Sequence, residues 1–161
     1  MARGPLAMLP KAAIGILHEI TRHLLRRPVT GVAAAARTAD GRWLLIRRGD
    51  TGTWALPGGT LEWGETLASA LGRELLEEAG VESFSVDRLV GVFSRPDRDI
   101  RFHAVTVVVA CQVEAPARPP MNSLEIREVR LFTDDELPEP LAMGMSDMLR
   151  AAREGGAATF E

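Results

Sequence analysis

The sequence holds a single cysteine, Cys111, so no disulfide can close within the chain. Cys111 lies in the apolar run Ala104–Val113, where a buried thiol acting as a small core side chain is expected. No apolar stretch approaches the roughly 20 residues that a membrane-spanning helix requires. Positive charge is not in surplus either: 19 Lys and Arg face 22 Asp and Glu, for a net charge of −3. That argues against a nucleic-acid binder that works by bulk charge. Lysine is almost missing, with Lys11 alone beside 18 arginines, so an arginine at any one place says little by itself. Internal repeats are absent as well. These absences lead us to expect a cytoplasmic protein with no membrane and no nucleic-acid partner.

What is present suits one compact domain. The chain has 161 residues, 46% hydrophobic and 25% charged, enough to bury a real core. Its first 28 residues differ from the rest. Arg3, Lys11, Arg22, Arg26 and Arg27 against Glu19 give this segment +4, which leaves −7 for the remainder. A helix is predicted from about Lys11 to Arg26, between Pro10 and Pro28, with Ile14, Leu17, Ile20 and Leu24 among its apolar residues. A signal peptide fits poorly, because Ala12–Leu17 is short and His18 and Glu19 follow it. A membrane-surface helix is a second alternative. An isolated helix of about 16 residues is marginal in water, so this one needs a surface to cover. We expect an arm packed on its own domain or on a second subunit, and a homodimer as the outcome. His18 and His23 point about 140° apart and make poor metal partners.

The expected organisation is a helical arm over 1–28, a domain over 29–154 and a flexible tail over 155–161. Within the domain, Val32–Ala36 and Trp43–Arg47 read as strands that the Asp40-Gly41 turn can join as a hairpin. Pro57-Gly58-Gly59 breaks regular structure and lets the backbone approach a ligand. Phe84–Phe93 and the β-branched run Ala104–Val113 read as longer strands, and Val129–Phe132 as a last one. Glu114–Met121 is a proline-rich loop, and Ser146–Arg153 is a helix with Ser146 as its N-cap. This pattern alone gives the class α/β.

The segment Gly59–Val81 carries the chemistry. Glu65, Glu74, Glu77 and Glu78 crowd the start and body of one helix, with Arg73 among them. At about 100° per residue, Glu74 and Glu78 lie roughly 40° apart and Glu77 within about 100° of both. Ala68, Leu71, Leu75 and Ala79 form the adjoining apolar stripe, so the carboxylates border the buried face. Partial burial raises the cost of their repulsion. A doubly charged cation between them removes it, and an all-oxygen set without Cys or His nearby favours Mg²⁺ or Mn²⁺.

The order G, five residues, E, seven residues, RE, aliphatic, any, EE, any, G, aliphatic resembles the Nudix box, and every specified position is met. The resemblance implies a mixed β-sheet sandwiched between helices (α/β/α) and hydrolysis of a nucleoside diphosphate linked to another moiety. It implies that Glu74 and Glu78 are the primary metal ligands, joined by the carbonyl of Gly59. Glu77 completes the shell or acts on the water. A base from a later loop is the other option, with Glu125 and Glu128 as candidates. Arg73 is expected to pair with Glu65 and hold the loop against the helix.

The moiety is addressed by Phe93–His103. Pro96, 15 residues beyond Val81, resembles the mark of ADP-ribose pyrophosphatases in the family. A small-molecule substrate, ADP-ribose or a nucleoside diphosphate sugar, is therefore expected. Arg98 and Arg101 are candidates for its diphosphate or sugar and Arg47 for a further contact, while Trp54 is either a core residue or a substrate contact. His103 reads as structural. A nucleoside triphosphate pyrophosphohydrolase is the alternative activity. A nucleotide-sensing domain without activity is a third reading, against which the intact box speaks.

Overall fold

Small side chains build the middle of the sheet. In the computed structural model, which describes residues 15–16, 18–21 and 27–161, strand β1 runs Val29–Thr38 and its four alanines, Ala33–Ala36, are buried. Strand β6, Ala104–Val113, lies parallel to it in unbroken register from Val29 beside Ala104 to Thr38 beside Val113. Parallel strands are covered on both faces, and the short alanines leave room for that cover.

Around this pair the remaining strands are β2 (Trp43–Arg48), β3 (Trp54–Ala55), β4 (Gly58–Thr60), β5 (Phe84–Phe93), β7 (Ile126–Phe132) and β8 (Thr159–Phe160). The sheet runs β3-β2-β1-β6-β5-β8, with β4 also on β1 and β7 also on β2. It is mixed, because β1–β6 and β5–β8 are parallel and the other pairs antiparallel. Helix α1 (Leu67–Ala79) packs on β4, β1, β2 and β7, and helix α2 (Met145–Glu154) on β5, β1 and β6. This is the α/β arrangement of a mixed sheet with helices that was expected.

Phe84–Phe93 and Ala104–Val113 have the expected bounds, and β1 and β2 pair through the expected turn with Arg37 beside Trp43. Four expectations need correction. Pro57-Gly58-Gly59 does not end regular structure, since Gly58–Thr60 is β4, paired to Gly31–Ala33. The pairing is tight enough that a Cβ on Gly31 would lie 2.9 Å from the carbonyl oxygen of Gly59. Residues 155–161 are not a loose tail: Thr159 and Phe160 extend the sheet beside Gly91 and Val92. Gly144 caps α2 with φ 65°, while Ser146 Oγ instead accepts from the Leu141 amide at 2.9 Å. Ala70, not Ala68, belongs to the buried stripe of α1.

Of the expected arm, Gly15–Ile16 and His18–Thr21 are helical. The rest of Lys11–Arg26, including His23, lies outside the described residues, and so does any interface it forms. Among the described residues no helix is long and apolar enough to cross a membrane.

Candidate active site

Helix α1 starts at Thr66, whose hydroxyl accepts from the Ser69 amide (3.1 Å) while Ser69 Oγ accepts from the Thr66 amide (2.9 Å). It ends at Gly80, in the left-handed region at φ 65°, where a Cβ would also run into the Arg118 carbonyl. Between these caps Leu71 and Leu75 are sunk in the core and carry Glu74 and Glu78 with them, to 9% and 8% exposure. The backbone of β4 passes directly over this face. A side chain on Gly59 would collide with the Glu74 carboxylate, which accounts for the first glycine of the motif. The Gly58 amide donates to Glu78 Oε2 at 2.8 Å.

Arg73 ties three segments together. Its Nε and Nη2 donate to the two oxygens of Glu65 (2.8 and 2.9 Å), Nη1 to Glu74 Oε1 (2.8 Å) and Nη2 to the Thr60 carbonyl (3.1 Å). The expected pairing with Glu65 is thus present and extends to Glu74. The guanidinium holds the Glu65 carboxyl down at about 2, and the carboxylates raise Arg73 in turn. Burial acts the other way on the helix face. It raises Glu74, against the pull of Arg73, and pushes Glu78 up to about 8, with the charges of Glu74 and Glu125 adding to it.

Glu74, Glu78 and Glu125 line one cavity of about 250 Å³ with Gly58 and Gly59. Arg48, Asp99, Arg101 and Phe102 line the same cavity. Asp99 is buried and grips Arg101 through two bonds, Nε–Oδ1 at 3.0 Å and Nη2–Oδ2 at 2.7 Å. Arg101 also lies 5.1 Å over the Phe102 ring. The donor set fits a hard divalent cation: buried carboxylates whose charge is poorly solvated, beside a glycine backbone. Among the described residues no three acidic or imidazole side chains form a ready-made cage. Glu74 gives Oε1 to Arg73 and Glu78 gives Oε2 to the Gly58 amide.

Other expected site residues stand elsewhere. Glu77 is half-buried outside the cavity, with its carboxylate 3.6 Å from Arg73 Nη1. Glu128 and Arg47 face each other across β7 and β2 and form a 3.5 Å ion pair away from the cavity. The neighbour Arg48 turns into the cavity, because adjacent strand residues point to opposite faces and the β2–β7 register shifts between the two. Trp54 packs edge-on to Phe132 at 4.8 Å. Arg98 is not at the cavity: its side chain is 6% exposed and paired with Glu161. His103 is structural, with Nε2 at 2.7 Å from the Ser94 carbonyl.

Sequence reasoning missed Arg48, Asp99, Phe102, Met143 and Met145 as cavity residues. Asp99 and Phe102 sit in the Phe93–His103 segment already singled out. Met143, in the turn before α2, and Met145, the first residue of α2, leave no local trace.

Residues 27–152 match the model of the NUDIX domain. Over 124 residues the chain is 38% identical to a MutT-like protein of Streptomyces ambofaciens, covering 77% of this chain and 76% of that one. Two shorter matches bear the names of different substrates. An ADP-ribose pyrophosphatase of Methanocaldococcus jannaschii is 44% identical over 77 residues, 46% of this chain and 45% of that protein. A Bacillus subtilis protein provisionally named an 8-oxo-dGTP diphosphatase is 42% identical over 53 residues, 33% of this chain and 35% of that protein. The chain spans less than half the length of these last two.

Proposed function

The chain belongs to the Nudix hydrolase family, and we propose that it cleaves the diphosphate of ADP-ribose or a nucleoside diphosphate sugar into a nucleoside monophosphate and a sugar phosphate. One observation carries this reading: a single cavity is lined both by the buried carboxylates Glu74 and Glu78 and by the arginines Arg48 and Arg101. A diphosphate needs both kinds of group. Its oxygens bind guanidinium forks, and its phosphorus must be relieved of negative charge before water can attack.

Nudix hydrolases generally use divalent cations. Here Glu74, Glu78 and the Gly59 carbonyl would hold Mg²⁺, with Mn²⁺ as a substitute; Glu77 would have to turn from Arg73 into the cavity to join them. When bound, the cation supplies charge neutralisation at the diphosphate and lowers the pKa of the attacking water. The protein's own groups do the rest. Arg101, braced by Asp99, and Arg48 bind and orient the diphosphate. Phe102 offers a ring face to a base or sugar. Glu125 takes the proton of the attacking water, a role for which it is better placed than Glu128, which is engaged with Arg47 on the surface. Arg73 and Glu65 touch no substrate in this scheme; they hold Glu74 and the strand β4 in place.

A nucleoside triphosphate pyrophosphohydrolase is the second reading, favoured by the name of the Bacillus subtilis relative. A product assay separates the two. ADP-ribose, sugar nucleotides and dNTPs are offered with Mg²⁺ and the products resolved. We expect the higher kcat/KM for a sugar nucleotide, with monophosphate and sugar phosphate released. Pyrophosphate released from a preferred dNTP would reverse the assignment.

A further inference from the structure

Glu161 reaches back into the loop that follows β5. Beyond β8, its amide donates to the Val92 carbonyl at 3.1 Å, and its own carbonyl accepts from Ser94 Oγ at 2.9 Å. Its side-chain carboxylate receives four donors. Oε2 accepts from the amides of Ser94 (2.8 Å) and Arg95 (2.9 Å) and from Arg98 Nε (3.0 Å), while Oε1 accepts from Arg98 Nη2 (2.6 Å). A fork-to-fork pair reinforced by two backbone amides is a strong, directional contact.

Arg98 passes this contact on. Its Nη1 donates to the Gly144 carbonyl at 2.8 Å and lies 3.5 Å from Asp147, and the guanidinium stands 5.3 Å over the Phe93 ring. Gly144 lies between Met143 and Met145, both lining the cavity. The residue after Arg98 is Asp99, which opens the cavity wall Asp99–Phe102 and holds Arg101. Arg101 Nη2 closes the circuit at 3.4 Å from Met143 Sδ. The Glu161–Arg98 pair therefore joins the two segments that bring Asp99, Arg101, Phe102, Met143 and Met145 to the cavity. None of its contacts falls on α1 or β4, which carry Glu74, Glu78 and Gly59.

We propose that Glu161 and Arg98 are positioning residues that set the substrate-binding wall, Asp99–Phe102 and Met143–Met145, and thereby tune substrate affinity without touching substrate. This rests on the reading that Arg101 binds the diphosphate. Through the neutral range both partners keep their charge, since Arg98 holds the Glu161 carboxyl at about 2.

Glu161→Gln keeps the shape of the side chain and removes its charge. In amide hydrogen exchange we expect faster exchange in residues 94–103 and 142–146 and no change in α1 or β1. In kinetics we expect KM to rise about tenfold with kcat within about twofold, the split produced by losing a contact made equally in ground and transition states. Arg98→Ala should act alike, and the double variant should be little worse than either single one. If Arg98→Ala does not fold, Glu161→Gln decides alone. An unchanged KM overturns the proposal. So does a fall in kcat accompanied by faster exchange throughout the domain, which marks a general loss of stability. Should the wild type prefer a dNTP, the substrate reading fails, and the wall is then judged by KM for that dNTP. Should nothing be cleaved, the Kd for ADP-ribose replaces KM.

Discussion

Glu78→Gln separates the cost of the helix carboxylates from their use. The ordinary value of such a carboxyl is 4.5, and burial pushes Glu78 to about 8. The folded state thus binds this proton more tightly than the unfolded state. Between the two values the folded protein carries more protons, so stability falls as pH rises from about 5 to 8. The full shift from 4.5 to about 8 corresponds to a penalty of about 5 kcal/mol at most, from about 1.4 kcal/mol for each tenfold step. Glutamine has no proton to lose and can still accept from the Gly58 amide. In protein stripped of divalent ions with EDTA, Glu78→Gln should therefore melt above the wild type at pH 8, by about 3–10 °C, and with it at pH 5. Saturating Mg²⁺ should raise the wild-type melting temperature at pH 8 and move the variant little. Turnover should drop at least about a hundredfold, the loss of about 3 kcal/mol of barrier lowering. A metal-free wild type whose melting temperature is flat from pH 5 to 8 would refute the buried-charge argument. Near-normal turnover of Glu78→Gln at saturating Mg²⁺ would remove this carboxylate from the metal site.

Three further outcomes are expected. Arg101→Ala should raise KM about tenfold or more, whereas Arg47→Ala, on the outer face of the same sheet, should leave steady-state kinetics within about twofold; equal effects would contradict the placement of the two arginines. Thr66→Ala removes the cap of α1 and should cost about 1 kcal/mol in urea unfolding, and an unchanged midpoint would show that Ser69 alone suffices. Deleting residues 1–27 should shift the mass by light scattering from dimer to monomer while Mg²⁺-dependent activity persists, and a monomeric full-length protein at micromolar concentration would end the dimer proposal.

What could be read in advance was local. Glu74, Glu78 and Gly80 lie on one helix and its cap, so their spacing in the chain is their spacing in space. Ala104–Val113 is a β-branched run, and Phe84–Phe93 is rich in Val, Leu and Phe, so both read as strands from their own residues. The exchange of Arg47 for Arg48 was less legible, because β2 is buried on both faces over Trp43–Ile46 and supplies no alternation to count from. Least legible was anything made by distant partners. Arg98 looked like a ligand of phosphate in an arginine-rich loop, and only the return of a residue 63 positions later shows what it holds. Strand β8 has two residues and no pattern of its own; Gly91, whose missing side chain leaves room for Thr159, is the one trace it leaves elsewhere.

The direction of β1 has a practical side. Val29 and Gly31–Ala33 line the cavity, so the polypeptide enters the domain at the mouth of the site. Glu161 is fastened to the loop that leads into Asp99 and Arg101 of the same cavity. A probe attached at Val29 or beside Glu161 would therefore crowd the very region whose binding is to be measured. The Thr38–Arg42 turn lies at the far end of β1, about 30 Å away along the strand. Asp40 and Gly41 are exposed or half-exposed there, and an insertion between them is the place for a fluorophore or a surface tether that reports on the enzyme without standing in its doorway.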